Sequence, residues 1–177
     1  MKILKFLLFF ILAIIAIALI SALFIKKEYK IEKEISINRP KQPVFDYIKY
    51  LKNQPEYSYW ATLDTNMKVT YTGTDATVGF ISAWKGNKEA GSGEQEIVKI
   101  EDGKQVDYAL RFKEPMESNL SAYMATDSTG PGTTRVRWAL YGTSKYPMNL
   151  MNPFMDGLMS DDLNIGLANL KKKLESQ

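Results

Sequence analysis

The sequence predicts an α+β domain in which a curved antiparallel sheet of about six to seven strands wraps around a long C-terminal helix, with one transmembrane helix before it. Three observations predict this fold. An apolar run opens the chain, strand and turn signals then follow one another with no helix between them, and one amphipathic helical pattern ends the chain. Strands at that spacing are typical of an antiparallel meander, and only the terminal helix is long enough to cover its apolar face.

The N-terminal apolar run extends from Phe6 to Ile25, with Ser21 as its one polar residue. Twenty residues in a helix span about 30 Å, which matches the hydrocarbon core of a bilayer. A cleaved signal peptide has a shorter apolar region that is followed by a small-x-small site, whereas Ala16–Ala18 lies inside this run. We therefore expect residues 1–27 to be an uncleaved, single-pass anchor in the cell membrane and residues 28–177 to be the domain beside it.

Charge and composition limit the partners and the chemistry. Four lysines flank the apolar run on both sides, so the positive-inside rule leaves the side of the soluble domain undetermined. Removing those four from the 23 basic residues leaves 19 against 20 acidic ones, and we expect no nucleic-acid partner for so neutral a domain. The chain has no histidine and no cysteine. This excludes Ser-His-Asp and Cys-His nucleophiles, Cys/His zinc sites and disulfides.

The globular part begins with a strand, because apolar residues alternate with mostly charged ones from Tyr29 to Ile37. Helical spacing of the apolar residues then predicts an amphipathic helix over 41–52, which Asn53–Pro55 ends. Turn signals containing glycine, asparagine or aspartate separate six further strand patterns. These patterns are Met67–Thr72, Gly79–Lys85, Glu94–Ile100, Gln105–Phe112, Leu120–Thr126 and Thr134–Tyr141.

The last segment changes to a helical period. Asn152 is a favourable N-cap and Pro153 suits the first helical position. Gly157 and Gly166 inside this helix each cost about 1 kcal/mol relative to alanine, and we expect them to permit close helix–sheet approach or to mark a bend. Apolar side chains recur every four residues along one helix face at Met151, Met155, Met159, Leu163 and Leu167, and Phe154 and Leu158 widen this stripe.

The segments Ile35-Ser-Ile-Asn-Arg-Pro40 and Val44-Phe45-Asp-Tyr-Ile48 resemble the opening of the START/Bet v 1-like (SRPBCC) superfamily, the polyketide cyclase/dehydrase and lipid transport-type proteins. Gly91–Ile97, Thr134–Trp138 and the closing helix are similar to later parts of it, so that the resemblance covers about residues 31–175. It implies a helix-grip fold with an apolar cavity between the sheet and the terminal helix. Members include lipid and sterol carriers, aromatase/cyclases and chaperone-associated domains. They share no universal catalytic residue, so the resemblance implies none here.

Methionines and aromatic residues are the candidates for a cavity lining. Four of the eight methionines lie between positions 148 and 159. Methionine adapts to different apolar ligands, although it also fills ordinary cores. Buried tryptophan and tyrosine need a hydrogen-bond partner, which a cavity with ligand or water supplies. We expect the lining to comprise Trp84, Tyr108, Phe112, Tyr123, Trp138, Met151, Met155, Leu158 and Met159.

Two pairs of carboxylates are candidates for acid–base groups. Asp161 and Asp162 are adjacent on a helix and point about 100° apart, so they do not converge. Glu94 and Glu96 share a strand face, and we expect them to form surface ion pairs with Arg135 or Arg137 if those strands are neighbours. We therefore expect no catalytic residues, no metal site and no cofactor.

The expected function is a monomeric, membrane-anchored module that binds an apolar small molecule or lipid between sheet and helix. Two alternatives stay open. The first is a cyclase- or hydrolase-like enzyme that uses tyrosine and carboxylate groups in the same cavity, although the lack of histidine argues against it. The second is an interaction domain whose groove binds a protein segment and no small ligand. The volume of the cavity would distinguish this domain from a ligand-binding module.

Overall fold

A computed structural model describes residues 2–177, and seven strands of that range form one antiparallel sheet. The strands are β1 (Glu28–Ile37), β2 (Lys68–Thr72), β3 (Ile81–Lys85), β4 (Ser92–Glu101), β5 (Gln105–Glu114), β6 (Ser118–Gly130) and β7 (Thr133–Thr143). Their order across the sheet is β1-β7-β6-β5-β4-β3-β2. From β2 to β7, each strand therefore pairs with the next one along the chain, and β1 pairs with β7. The predicted sheet and its antiparallel meander are confirmed.

Within residues 2–177 the α-helices are α1 (Lys2–Phe24), α2 (Lys41–Ile48) and α3 (Asn152–Glu175). Helix α2 is shorter than the predicted 41–52. It ends early because the backbone amides of Leu51 and Lys52 donate to the carboxylate of Asp75, at 3.0 and 3.1 Å, instead of to helical carbonyls. Short 3₁₀ turns follow at Leu51–Glu56 and Tyr59–Thr62, and a third, Met148–Met151, precedes α3.

The apolar face of the sheet packs against α2 and the C-terminal half of α3, and α3 lies mainly against β1. Full burial of one large apolar side chain contributes about 1.5–3 kcal/mol. The fully buried side chains of this core include Ile31, Ile37, Val44, Phe45, Ile48, Ile97, Val106, Met124, Val136, Leu163, Leu167 and Leu170.

The start of α3 differs from the predicted cap. Met151 occupies the cap position, and Asn152 is already helical. The Asn152 amide donates instead to the main-chain carbonyls of Lys26 and Lys27, at 2.8 Å each, while its side-chain oxygen accepts a hydrogen bond from Ser144 Oγ at 2.7 Å. Asn152 therefore joins the helix to the chain between α1 and β1, because main-chain carbonyls of that segment lie within hydrogen-bonding distance of its amide.

Helix α3 approaches the sheet closely at Gly166. A Cβ atom at this position would lie 2.8 Å from Cζ3 of the buried Trp138 indole, closer than carbon atoms pack. Gly157, nine residues earlier on the same helix, has no neighbouring atom within 4 Å of such a Cβ. Of the two glycines, Gly166 is therefore the one that close packing requires.

Comparing Gly166→Ala with Gly157→Ala tests this contact, since both changes bring the same gain in helix propensity. We expect Gly166→Ala to be less stable than Gly157→Ala by about 1–3 kcal/mol in free energy of unfolding, the usual cost of overpacking a core. Urea unfolding of the full chain in detergent, followed by near-ultraviolet circular dichroism, measures the difference. Equal stabilisation by both alanines would show that Trp138 does not constrain α3.

Candidate functional site

A cavity of about 190 Å³ lies between the sheet, α3 and the 3₁₀ turns that follow α2. It reaches from the surface to the core, because Pro55 in its wall is exposed whereas Trp138 is buried. The 3₁₀ turns and the loop after them contribute Leu51, Gln54, Pro55, Ser58, Trp60, Ala61 and Met67. The strands, the β3–β4 loop and α3 contribute Val69, Ser82, Trp84, Ala90, Gln95, Leu110, Phe112, Leu120, Ala122, Trp138, Leu140 and Met159.

The cavity occupies one half of the covered sheet face. The strands of the sheet share two ends. We call the end where β1 begins and β7 finishes, at the Glu28–Thr143 pair, the α1 edge. In the antiparallel register, the lining residues of β5, β6 and β7 belong to the ends of those strands nearest this edge. Toward the opposite edge, Val106, Met124 and Val136 are fully buried in the core. The face thus has a packed half and a cavity half.

Each of the three tryptophans of the chain lies in the cavity wall. Trp84 meets Phe112 edge-to-face with ring centroids 5.4 Å apart, and Trp60 meets Trp138 in the same way at 5.8 Å. The indole N–H of Trp84 donates to the carbonyl of Ala90 at 3.2 Å. Aromatic pairs in this arrangement contribute about 0.5–1.5 kcal/mol beyond their burial, so they hold the wall in one conformation.

The lining is electrically neutral. Within residues 2–177, no aspartate, glutamate, lysine, arginine or tyrosine is among the residues around the cavity. Its polar side chains are two serines and two glutamines, of which Gln95 is buried on β4 and offers both an amide donor and a carbonyl acceptor. Such a lining can enclose apolar surface and orient one polar group, but it offers no side chain for proton transfer near pH 7.

Four of the nine predicted lining residues surround the cavity: Trp84, Phe112, Trp138 and Met159. Met155 lies beside them, half-buried against the core. Tyr108 belongs to the packed half instead, where it is buried and its hydroxyl donates to the carbonyl of Ile48 at 3.4 Å. Desolvation raises the pKa of the Tyr108 hydroxyl far above its ordinary value.

The other three predicted residues point away from the cavity. Tyr123 lies on the outer face of the sheet with Ala125 and Ala139, and its hydroxyl donates to the Glu32 carboxylate. The sequence misled here because apolar residues occupy both faces of β6, so their alternation did not identify the inner one. Met151 and Leu158 are exposed, because the N-terminal half of α3 carries apolar residues on two faces and only one of them meets the domain.

Sequence reasoning missed most of the wall that comes from the 3₁₀ turns. Residues 51–67 have no regular period, so no pattern indicated which side chains face inward. Leu110 could have been found, because it shares a strand face with the predicted Phe112 two residues later. Leu120 and Ala122 could not, since the inner face of β6 was ambiguous.

The four candidate carboxylates, Glu94, Glu96, Asp161 and Asp162, lie outside the cavity. Glu94 and Glu96 pair with Arg111 on the outer face of the sheet, with Arg111 Nε 2.6 Å from Glu94, and this hydrogen bond lowers the pKa of Glu94. The expected pairing with Arg135 or Arg137 is wrong, because β7 neighbours β6 and not β4.

Those two arginines pair instead with Asp127 on β6. On α3, burial first and the neighbouring Asp161 second raise the pKa of Asp162. Across the described residues, no group of three or more carboxylates is arranged to hold a metal ion.

The family described as "Polyketide cyclase / dehydrase and lipid transport" matches residues 28–175. The chain belongs to this family. With the sheet and helix arrangement, the match confirms the resemblance to the START/Bet v 1-like superfamily and its helix-grip fold. Among curated proteins, none matches the sequence.

Solved structures show the same fold at low sequence identity. Truncated norcoclaurine synthase from Thalictrum flavum has a TM-score of 0.62 at 11% identity, covering 83% of this family member and 92% of the synthase chain. Ara h 8.0201 has a TM-score of 0.57 at 12% identity, covering 85% and 99%. The Aha1 dimer from Colwellia psychrerythraea has a TM-score of 0.55 at 17% identity, covering 82% and 96%. Identities this low establish the fold alone.

Substitutions in the two halves of the sheet face test whether the cavity is open space. Ala122→Leu directs new atoms into the cavity, and we expect a change of less than about 1 kcal/mol in the free energy of unfolding. Val136→Leu adds one methylene to the packed half and should cost about 1–3 kcal/mol. Urea unfolding of both variants gives the comparison. An equal cost for both would mean that the region around Ala122 is filled.

Proposed function

We propose that the protein is a monomeric, membrane-anchored module that binds a hydrophobic small molecule or lipid in the cavity half of the sheet. The observation that carries this proposal is a neutral cavity walled by tryptophans in a fold that otherwise packs solidly. Binding would be driven by removing apolar ligand surface from water, at about 25 cal/mol per Å².

The size of the cavity limits the ligand. A volume of 190 Å³ is smaller than the roughly 300–1,000 Å³ of sites for drug-sized molecules. The ligand would therefore insert part of itself, such as the end of an acyl chain or one ring system. Its remaining part would extend past the exposed Pro55 at the surface.

Helix α1 supports the anchoring part of the proposal. It is long and apolar enough to cross a membrane, and almost all of its side chains are exposed. Only residues 25–27 separate α1 from the start of β1. An anchor here would bring the α1 edge of the sheet, and with it the cavity half, to the membrane side of the domain. Ligand exchange with lipid then needs no diffusion of the protein through water.

The composition of the cavity favours binding over the enzymatic alternative. A cyclase- or hydrolase-like reaction requires groups that donate or accept protons, and the cavity wall holds only serine and glutamine as polar side chains. Tyr108 and Tyr123, the two tyrosines of the expected lining, lie outside the wall. One structural neighbour is named a synthase, but the likeness to it is one of fold.

Intrinsic fluorescence tests the binding function, because the tryptophans that emit are all in the cavity wall. The full chain is reconstituted in phosphatidylcholine vesicles and titrated with 9,10-dibromostearate, whose bromine atoms quench tryptophan on contact. We expect saturable quenching in the parent protein. Ala122→Leu should raise the concentration for half-quenching by about tenfold or more, equivalent to about 1.4 kcal/mol.

Ala168→Leu is the matched control, since residue 168 is exposed on α3 and the same side chain there should leave the titration unchanged. Quenching that rises linearly with dibromostearate in the parent would contradict the proposed function. So would identical saturation curves for the parent and Ala122→Leu.

A further inference from the structure

Large apolar side chains lie on the surface of α3 that is turned away from the sheet and at the residue just before α3. Met151 is 46% exposed, Phe154 63%, Leu158 59% and Ile165 42%. At 100° per residue these four positions fall within a sector of about 60° around the helix axis. The buried leucines of α3, from Leu163 to Leu174, lie nearly opposite. This apolar surface therefore takes no part in the grip of the sheet.

Met148, in the 3₁₀ turn just before α3, is also exposed. We call Met148, Met151, Phe154 and Leu158 together the outer apolar patch. Large apolar side chains clustered on a surface mark sites of contact with proteins or membranes. The neighbouring structure indicates which contact applies here.

Side-chain amides join the start of α3 to the end of α1. Asn149 is fully buried, and its amide nitrogen donates to the carbonyls of Ala22 at 2.6 Å and Ile25 at 2.8 Å. The Ala22 carbonyl is one of the last four of α1, which have no partner within the helix. We call these hydrogen bonds from Asn149, together with those from Asn152 to the carbonyls of residues 26 and 27, the clamp. The clamp joins the start of α3 to the segment that follows α1.

The clamp keeps the outer apolar patch close to the C-terminal end of α1. Ala22 is buried against the turn that contains Asn149, so the two segments pack as well as bond. Leu158 lies six residues after Asn152, which is about 9 Å along the helix. Amphipathic helices at membranes bury their apolar face about 5–10 Å into the boundary between headgroups and acyl chains. The patch therefore lies close to the C-terminal end of α1, where the chain would leave the lipid if α1 spans the membrane.

Residues around the clamp have the composition of a membrane interface. Lys26, Lys27 and Lys145 are exposed, and lysines near anionic headgroups favour membrane contact. Tyr146 is exposed as well, and its hydroxyl donates to the carbonyl of Leu19 at 3.4 Å. Tyrosine is enriched at this depth because its ring is apolar and its hydroxyl is polar.

We propose that the outer apolar patch is a second membrane contact, inserted into the lipid interface beside the end of α1. The inference rests on the proposed anchoring by α1. With this second contact, the domain would have one fixed orientation on the bilayer, with the start of α3 against the lipid. Without it, the domain could rotate freely about the segment that follows α1.

Site-specific quenching by brominated lipid tests the contact, and the absence of native cysteine allows single labels. Bimane is attached to Phe154→Cys or Leu158→Cys in the full chain, which is reconstituted in vesicles containing 6,7-dibromo-phosphatidylcholine. We expect quenching several-fold greater than at Val98→Cys. Val98 is the matched control, because it is an exposed apolar residue in the half of β4 away from the α1 edge.

A label at Leu12→Cys, in the middle of α1, separates the two proposals. Quenching at Leu12 but not at Phe154 or Leu158 would overturn the second contact while the anchor stands. Absence of quenching at Leu12 would overturn the anchoring itself. A patch covered by a second copy of the chain would give no lipid quenching but bimane self-quenching that grows with protein density, and this result also overturns the inference.

The clamp is tested with the same label at Leu158. Asn152→Ala removes the amide that bonds to residues 26 and 27, while Asn149→Ala removes the buried one. We expect each substitution to lower the quenching at Leu158 and to leave that at Leu12 unchanged. Asn152 is only half-buried, so its variant should fold even if the buried change does not. Unchanged quenching at Leu158 in Asn152→Ala would show that the clamp does not set the orientation.

Discussion

Packing of the C-terminal half of α3 against the sheet is the constraint on which the other features depend. The buried leucines of this half and the close approach at Gly166 fix the helix against the sheet. Because the helix is stiff, its N-terminal half must continue along the same axis. Met155 and Met159 there are only half-buried, and the cavity lies between Met159 and the sheet. The cavity and the outer apolar patch are therefore two sides of the same half-helix.

The antiparallel topology brings three features to one end of the molecule. β1 starts shortly after α1, and its first residues pair with the end of β7. The segment that follows α1 therefore lies at the α1 edge. The cavity half adjoins that edge, and the clamp by Asn149 and Asn152 holds the start of α3 there. The proposed ligand site, the proposed anchor and the proposed lipid contact would thus be neighbours. A module arranged in this way could exchange an apolar ligand with the bilayer at short range.

The sequence predicted the fold well because its periodic patterns are strong. Period-two strands with glycine or aspartate turns led to the sheet, and a four-residue apolar step led to α3. The surroundings of individual side chains are harder to predict from the sequence. Both faces of β6 are apolar, so the pattern alone does not show that Tyr123 lies on the outer face. Asn152 has the chemistry of a helix cap, and nothing local showed that carbonyls from residues 26 and 27 would occupy its amide.

A cavity half that holds an apolar ligand should retain that ligand when the protein is purified. The full chain is purified in detergent, extracted with organic solvent and examined by mass spectrometry, beside Ala122→Leu prepared identically. We expect one apolar compound at a constant ratio to the parent protein, strongly depleted in the variant. Extracts from both proteins that contain the same mixture of membrane lipids would contradict it.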